Sequence, residues 1–145
     1  MRFHSRSTAE TVQFGKKLGR RLRAGDVVTL SGELGSGKTT LVKGIAEGLG
    51  VRSGKEVSSP TFVLIHEYQG REKIYHLDWY RLKKVAGEDQ FLAEECFQDK
   101  AVTLIEWPDR GRDVLPQNHW EIKLKYLSPK ERMLEVTVHG KDPRL

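Results

Sequence analysis

Hydrophobic positions recur along this chain with two different periods, and the changes of period mark its elements. Ala9, Val12, Gly15, Leu18 and Leu22 follow helical spacing behind Ser7-Thr8-Ala9-Glu10, which has the form of a capping box. The pattern predicts a helix that starts there and that Gly25 ends. Val27-Val28-Thr29-Leu30 is a short apolar run of the kind that forms a buried strand. Leu41, Val42, Ile45, Ala46 and Leu49 then return to the helical period, up to Gly50. Residues 52–58 read as an exposed loop. Residues 61–68 and 74–79 read as the strands of a hairpin turning at Gln69-Gly70-Arg71-Glu72.

Residues 88–97 predict a short amphipathic helix with Phe91, Leu92 and Cys96 inward. Residues 101–105 are continuously apolar, which suits a central strand, and Pro108 stops it. Residues 121–126 and 134–138 alternate, so they predict a half-exposed antiparallel pair around Ser128-Pro129-Lys130. No repeat, low-complexity stretch or linker interrupts this order. The expectation is one α/β domain over residues 1–145, a mixed sheet flanked by helices.

Between the first strand and the second helix lies Gly32-Glu33-Leu34-Gly35-Ser36-Gly37-Lys38-Thr39-Thr40. This run fits the P-loop pattern, and its strand–loop–helix setting is the context that the pattern requires. Three phosphates carry dense negative charge, so a site for them needs many donors close together. Gly35 and Gly37 let the backbone curl, and successive N–H groups then form an anion-binding nest at a helix N-terminus. Lys38 reaches the outer phosphates as a point charge, and the Thr39 hydroxyl suits Mg²⁺. Ser36 fills a variable position and contributes mainly its N–H. Gly35, Ser36, Gly37, Lys38, Thr39 and Thr40 are therefore the candidate nucleotide-binding residues of a P-loop NTPase-like domain.

A chain of 145 residues suffices for one domain with a real core and is too short for two. At 37% hydrophobic and 31% charged residues it reads as soluble and globular. Its apolar runs fall far below the roughly 20 residues of a membrane span. Met1-Arg2-Phe3-His4-Ser5 lacks the apolar core of a secretion signal. Cys96 is the one cysteine, so no intrachain disulfide forms, and a reducing cytoplasm fits. Cys96 itself reads as a small core residue. The net charge is +5, and Lys16, Lys17, Arg20, Arg21 and Arg23 concentrate part of it. These five read first as the solvated face of the first helix, with a contact for RNA or an acidic partner as the alternative.

A P-loop needs a carboxylate near its metal, usually at the end of a neighbouring strand. Glu106 ends Val102-Thr103-Leu104-Ile105, and Asp78 ends Ile74-Tyr75-His76-Leu77. Either acid suits the metal or the attacking water, and a strand-end cap or a partner for Arg81 or Arg110 is the plainer role. His76, two residues before Asp78 on the same strand face, is placed to orient that carboxylate or to serve the core. The guanine reader Asn-Lys-x-Asp is missing, since Asn118 is followed by His119. The Asp-x-x-Gly switch of GTPases and the Ser-Gly-Gly-Gln signature of transport ATPases are missing too. An ATPase, a small-molecule kinase and a nucleotide-dependent binding switch with little hydrolysis stay open at this point.

The motifs together narrow the choice. The P-loop is followed by Ser59-Pro60-Thr61-Phe62, by His76-Leu77-Asp78-Trp79-Tyr80-Arg81 and by Ile105-Glu106-Trp107-Pro108. This order strongly resembles the TsaE (YjeE) family of small bacterial P-loop ATPases, over about residues 11–108. The resemblance implies a role in making N6-threonylcarbamoyladenosine at position 37 of tRNA. It implies an ATPase that hydrolyses ATP to ADP, weak alone, in support of the partner proteins TsaB and TsaD. It reaches tRNA indirectly through that complex, in the cytoplasm and away from membranes. By position, it implies Lys38, Asp78 and Glu106 as the catalytic residues, and Thr39 with Glu106 as Mg²⁺ ligands. It also implies nucleotide contacts from Thr8 and Arg132. Ser59 and Thr61 read as a switch-like segment that senses the γ-phosphate, and Trp107 as a core or partner contact.

Overall fold

The computed structural model describes residues 1–52 and 65–140. Its centre is built from the apolar runs. β2 (Val27–Ser31) pairs in parallel with β5 (Ala101–Glu106) on one side and with β6 (His119–Tyr126) on the other. β4 (Lys73–Asp78) joins β5 in parallel, and β3 (Ile65–Gln69) closes that edge as the antiparallel arm of the expected hairpin. At the other edge β7 (Arg132–His139) pairs antiparallel with β6, and β1 (Arg2–Ser5) pairs antiparallel with β7. The result is one seven-stranded mixed sheet in the order β1-β7-β6-β2-β5-β4-β3.

β1 has no counterpart in the sequence pattern. It spans four residues, and its partner stands about 130 residues away, with Phe3 opposite Leu134. Phe3 stacks on Phe14 of the first helix at 4.9 Å between ring centroids, so a non-local contact holds the strand.

Two helices cover one face of the sheet. α1 (Thr8–Arg21) starts as the capping box predicts, with the Ser7 side chain accepting the Glu10 N–H. Its buried positions are Thr11, Gly15, Leu18 and Gly19; Ala9 is exposed and Val12 half-buried, a shift of the stripe from the one expected. α2 (Lys38–Gly48) buries Leu41, Val42, Ile45 and Ala46 together with Leu49, as its spacing implies. The shift in α1 follows from how closely it meets α2. A Cβ at Gly19 would stand 2.3 Å from Ile45 O, and one at Gly44 would stand 2.4 Å from Val12 O. The helices thus touch backbone to backbone, and glycines face inward where larger apolar residues would clash.

The opposite face carries α3 (Glu88–Gln98), where the expectation fails in part. Ala93 and Cys96 point inward, but Phe91 is 63% and Leu92 40% exposed. A smaller cluster of Val27, Leu77, Trp79, Val85, Ala93, Cys96 and Ile105 fills the space beneath α3. The two buried positions of the helix carry small side chains, Ala93 and Cys96, and Phe97 packs against the cluster half-buried. Burial pushes the Cys96 thiol up to about 11, which suits a packing residue and not a nucleophile. After β5 the chain makes 3₁₀ turns over Pro108–Val114, kinked at Gly111.

Candidate functional site

The site grows from the row where the strands of the α1–α2 face end. Residues of one strand face alternate, so Ile74, His76 and Asp78 share a side of β4, as do Val102, Leu104 and Glu106 of β5. Register aligns Asp78 with Glu106, and Glu106 with Leu30 of β2. Below this row the face is hydrocarbon apart from His76, with Val28, Ile74, Val102 and Leu104 in the main core, and Leu30, level with Glu106, carries that core into the row. At the row itself it becomes acidic, and both carboxylates are buried, Asp78 at 4% and Glu106 at 3% exposure. Clefts in parallel sheets lie beyond the carboxyl ends of the strands, and here β2 leads straight into the glycine-rich loop.

The loop curls as its glycines allow. Gly35 has φ +80°, and Gly37, at the N-cap of α2, has φ +100°. A side chain at either position would strain the backbone. Ser36 donates its N–H to Glu33 O at 3.0 Å, closing the turn, and its hydroxyl is buried without a partner among the described residues. The sequence reading put the use of Ser36 in its N–H; here that N–H serves the loop itself. Lys38 stands at the start of α2, its ammonium bonded to Gly32 O and, at 3.2 Å, to Glu33 O. The same ammonium lies 4.3 Å from the centre of the Trp107 ring. Burial lowers the pKa of Lys38, while the charges of Glu106 and Asp78 oppose that shift.

The acids are held differently. Glu106 Oε2 meets His76 Nε2 at 2.6 Å, deep under the cleft. Asp78 Oδ1 accepts the Tyr80 N–H at 2.9 Å, which bends the chain back after β4. His76 thus bonds to Glu106 of the neighbouring strand, where the expectation was that it orients Asp78 or serves the core. Trp107 follows Glu106 in the left-handed region, at φ 60° and ψ 55°, a conformation that costs a tryptophan about 1–3 kcal/mol. Its N–H bonds to Leu30 O at 3.3 Å, and its ring meets Tyr80 at 4.9 Å.

These groups enclose a cleft of about 460 Å³ that includes Lys38, Thr39, Thr40, Asp78, Glu106, Trp107 and Arg132 in its wall. Arg132 reaches it from the start of β7. Its guanidinium donates to Ser36 O at 2.9 Å and Gly35 O at 3.1 Å, so it ties β7 to the loop. Thr8 lies outside this cleft. With Thr11 it lines a smaller pocket that shares Gly37, Thr40 and Arg132 with the cleft wall. Ser59 and Thr61 lie outside the described residues. Tyr80 and Leu34 line the cleft without having been singled out as site residues. Tyr80 had a signal, since it stands two residues after Asp78, and so did Leu34, which lies within the P-loop run.

The donor set suits a polyphosphate with Mg²⁺. The cleft offers a lysine, a helix N-terminus, a guanidinium and hard oxygen donors in Thr39, Asp78 and Glu106. Among the described residues no group of three His, Cys, Asp or Glu side chains is arranged to hold a metal.

The sheet, the loop and the strand-end acids define an α/β protein of the P-loop NTPase-like class. The family model described as "Threonylcarbamoyl adenosine biosynthesis protein TsaE" matches residues 5–134. The chain belongs to the TsaE family, whose members take part in biosynthesis of the threonylcarbamoyladenosine modification of tRNA. It is 42% identical over 138 residues to the tRNA threonylcarbamoyladenosine biosynthesis protein TsaE of Treponema pallidum, covering 95% of this chain and 99% of the relative. It is 41% identical over 132 residues to that of Bacillus subtilis, covering 90% and 81%. The crystal structure of Bacillus subtilis YdiB superposes with a TM-score of 0.79 at 33% identity, over 97% of this chain and 86% of that one. No helix among the described residues is long and apolar enough to cross a membrane.

Proposed function

We propose that the protein binds ATP with Mg²⁺ in the loop cleft and hydrolyses it to ADP and phosphate. It does so as the ATPase subunit that supports the TsaB–TsaD pair in threonylcarbamoylation of adenosine 37 of tRNA. The observation that carries this reading is the convergence of Lys38, Thr39, Asp78 and Glu106 on one cleft in a chain of the TsaE family. The whole chain, residues 1–145, acts as one domain, in the cytoplasm, and meets tRNA through its partners.

The roles of the described residues rest on their surroundings, and those of Ser59 and Thr61 on the family resemblance alone. The amides of Gly35, Gly37, Lys38, Thr39 and Thr40 cradle the phosphates at the positive end of α2, and Ser36 holds the loop's turn through its N–H bond to Glu33 O. Lys38 leaves the carbonyls of Gly32 and Glu33 for the outer phosphates. Its partial burial makes that exchange favourable, since a phosphate compensates the ammonium charge better than a carbonyl does. Thr39 and Glu106 would hold the metal, which when bound would supply positive charge against the phosphates. Asp78 orients the attacking water. Arg132 fixes the loop, and Thr8 borders the nucleotide from the start of α1. Ser59 and Thr61 sense the γ-phosphate, and Trp107 stands where a partner meets the cleft.

ATP turnover by the isolated chain, compared with turnover after adding TsaB and TsaD, tests the proposal. Slow hydrolysis alone and a marked rise with the pair are expected. Equal rates would overturn the partner-dependent reading. Phosphate transfer to a metabolite without any partner would replace it with a small-molecule kinase.

A further inference from the structure

His76 is fully buried, charged groups meet it on one side, and none of the roles above uses it. It stands on β4 one step below the acidic row, opposite Leu104 in the parallel register and on the same face as Asp78 and Glu106. Its Nε2 meets Glu106 Oε2 at 2.6 Å, with the two side chains 0% and 3% exposed. Its Nδ1 has no hydrogen-bond partner among the described residues. Tyr68 of β3 lies against the ring at 6.2 Å between centroids. A histidine kept only to fill a core would be replaced by a leucine at lower cost, because a buried imidazole leaves polar atoms to satisfy.

We infer that His76 is a positioning residue: its Nε2–H holds one oxygen of Glu106, so that the other oxygen faces the cleft in a fixed rotamer. A glutamate has three side-chain torsions, and a metal or water ligand must be placed within a fraction of an ångström. One short, buried, charge-assisted bond removes most of that freedom before any ligand arrives. The arrangement matches the way partners behind a ligating group set its orientation, losses of which typically cost about 10–100-fold in metal affinity or activity. This inference rests on the proposed role of Glu106.

The test uses the difference between the two ring nitrogens. Glutamine at position 76 can place an N–H where Nε2 stands, asparagine reaches only the Nδ1 position, and leucine fills the volume without a donor. His76→Gln is expected to keep turnover, with and without TsaB and TsaD, near the parent level. His76→Asn and His76→Leu are expected to lose about 10–100-fold in kcat and to need more Mg²⁺. The affinity for metal-free ADP stays unchanged in all three. A second readout needs neither metal nor turnover. In the nucleotide-free protein, nitrogen NMR should place a slowly exchanging, far-downfield ring proton on Nε2 of His76, and Glu106→Ala should abolish it. Equal behaviour of the three variants, or a ring proton on Nε2 that Glu106→Ala leaves in place, would overturn the inference. Full turnover by Glu106→Gln would instead overturn the role of Glu106 on which it rests.

Discussion

Leu104 and Glu106 stand two residues apart on the same face of β5, both shielded from water, and they do opposite things for the molecule. Leu104 lies in the main core with Val28, Ile74 and Val102. Glu106 lies one row higher, bonded to His76 and facing the loop cleft. Burying a leucine contributes roughly 1.5–3 kcal/mol to folding. Burying a carboxylate costs several kcal/mol before its partners return part of it. A fold selected for stability alone would carry the hydrocarbon one row further. The acidic row is therefore a place where the sheet gives up stability for chemistry, and α2 repeats the division: its first turn faces the cleft and its body packs on α1 and the sheet.

If that division holds, substitutions in the packed body lower stability and spare the nucleotide site, while substitutions in the upper row do the reverse. The largest effect is expected at Lys38. Lys38→Ala removes contacts to two phosphates at about 10²-fold each, so kcat/KM for ATP should fall on the order of 10⁴-fold while the melting temperature holds. Steady-state kinetics beside a thermal melt would read both. Next comes Leu104→Ala, expected to cost about 2–5 kcal/mol in denaturant unfolding with nucleotide affinity intact in the folded fraction. Gly44→Ala should cost about 1–3 kcal/mol, because the new methyl meets the Val12 carbonyl and the helices must part. Should Gly44→Ala also weaken ATP binding, α2 would be moving as one body, and the division within it would be too sharp. The smallest effect is Ser7→Ala, about 1 kcal/mol from the lost N-cap of α1, visible as a modest drop in melting temperature.

How much of this was legible in the chain depended on how local the cause was. α2 and β5 were readable because their burial is nearly complete on the faces that their spacing marks. The glycine loop was readable because its chemistry lies in consecutive residues. β1 was not, since four residues with one large apolar side chain become a strand only against β7. The inward side of α3 was misread because Phe91 and Leu92 look like core residues, whereas the space beneath admits Ala93 and Cys96. The bond from His76 to Glu106 was not legible, because spacing along β4 points only to Asp78, while the bond crosses to β5 through the parallel register. Arg132 stands 96 residues from Ser36, and nothing short of family resemblance placed it near the loop.

The most direct test of the division is Glu106→Gln, measured for ATP turnover, ADP affinity and melting temperature in one preparation. Turnover should fall by at least about 10²-fold, ADP should bind as before, and the melting temperature should stay level or rise, because a buried charge has been removed. Normal turnover, or a loss of turnover matched by a lower melting temperature, would contradict the claim that the upper row serves chemistry and the hydrocarbon beneath it serves the fold.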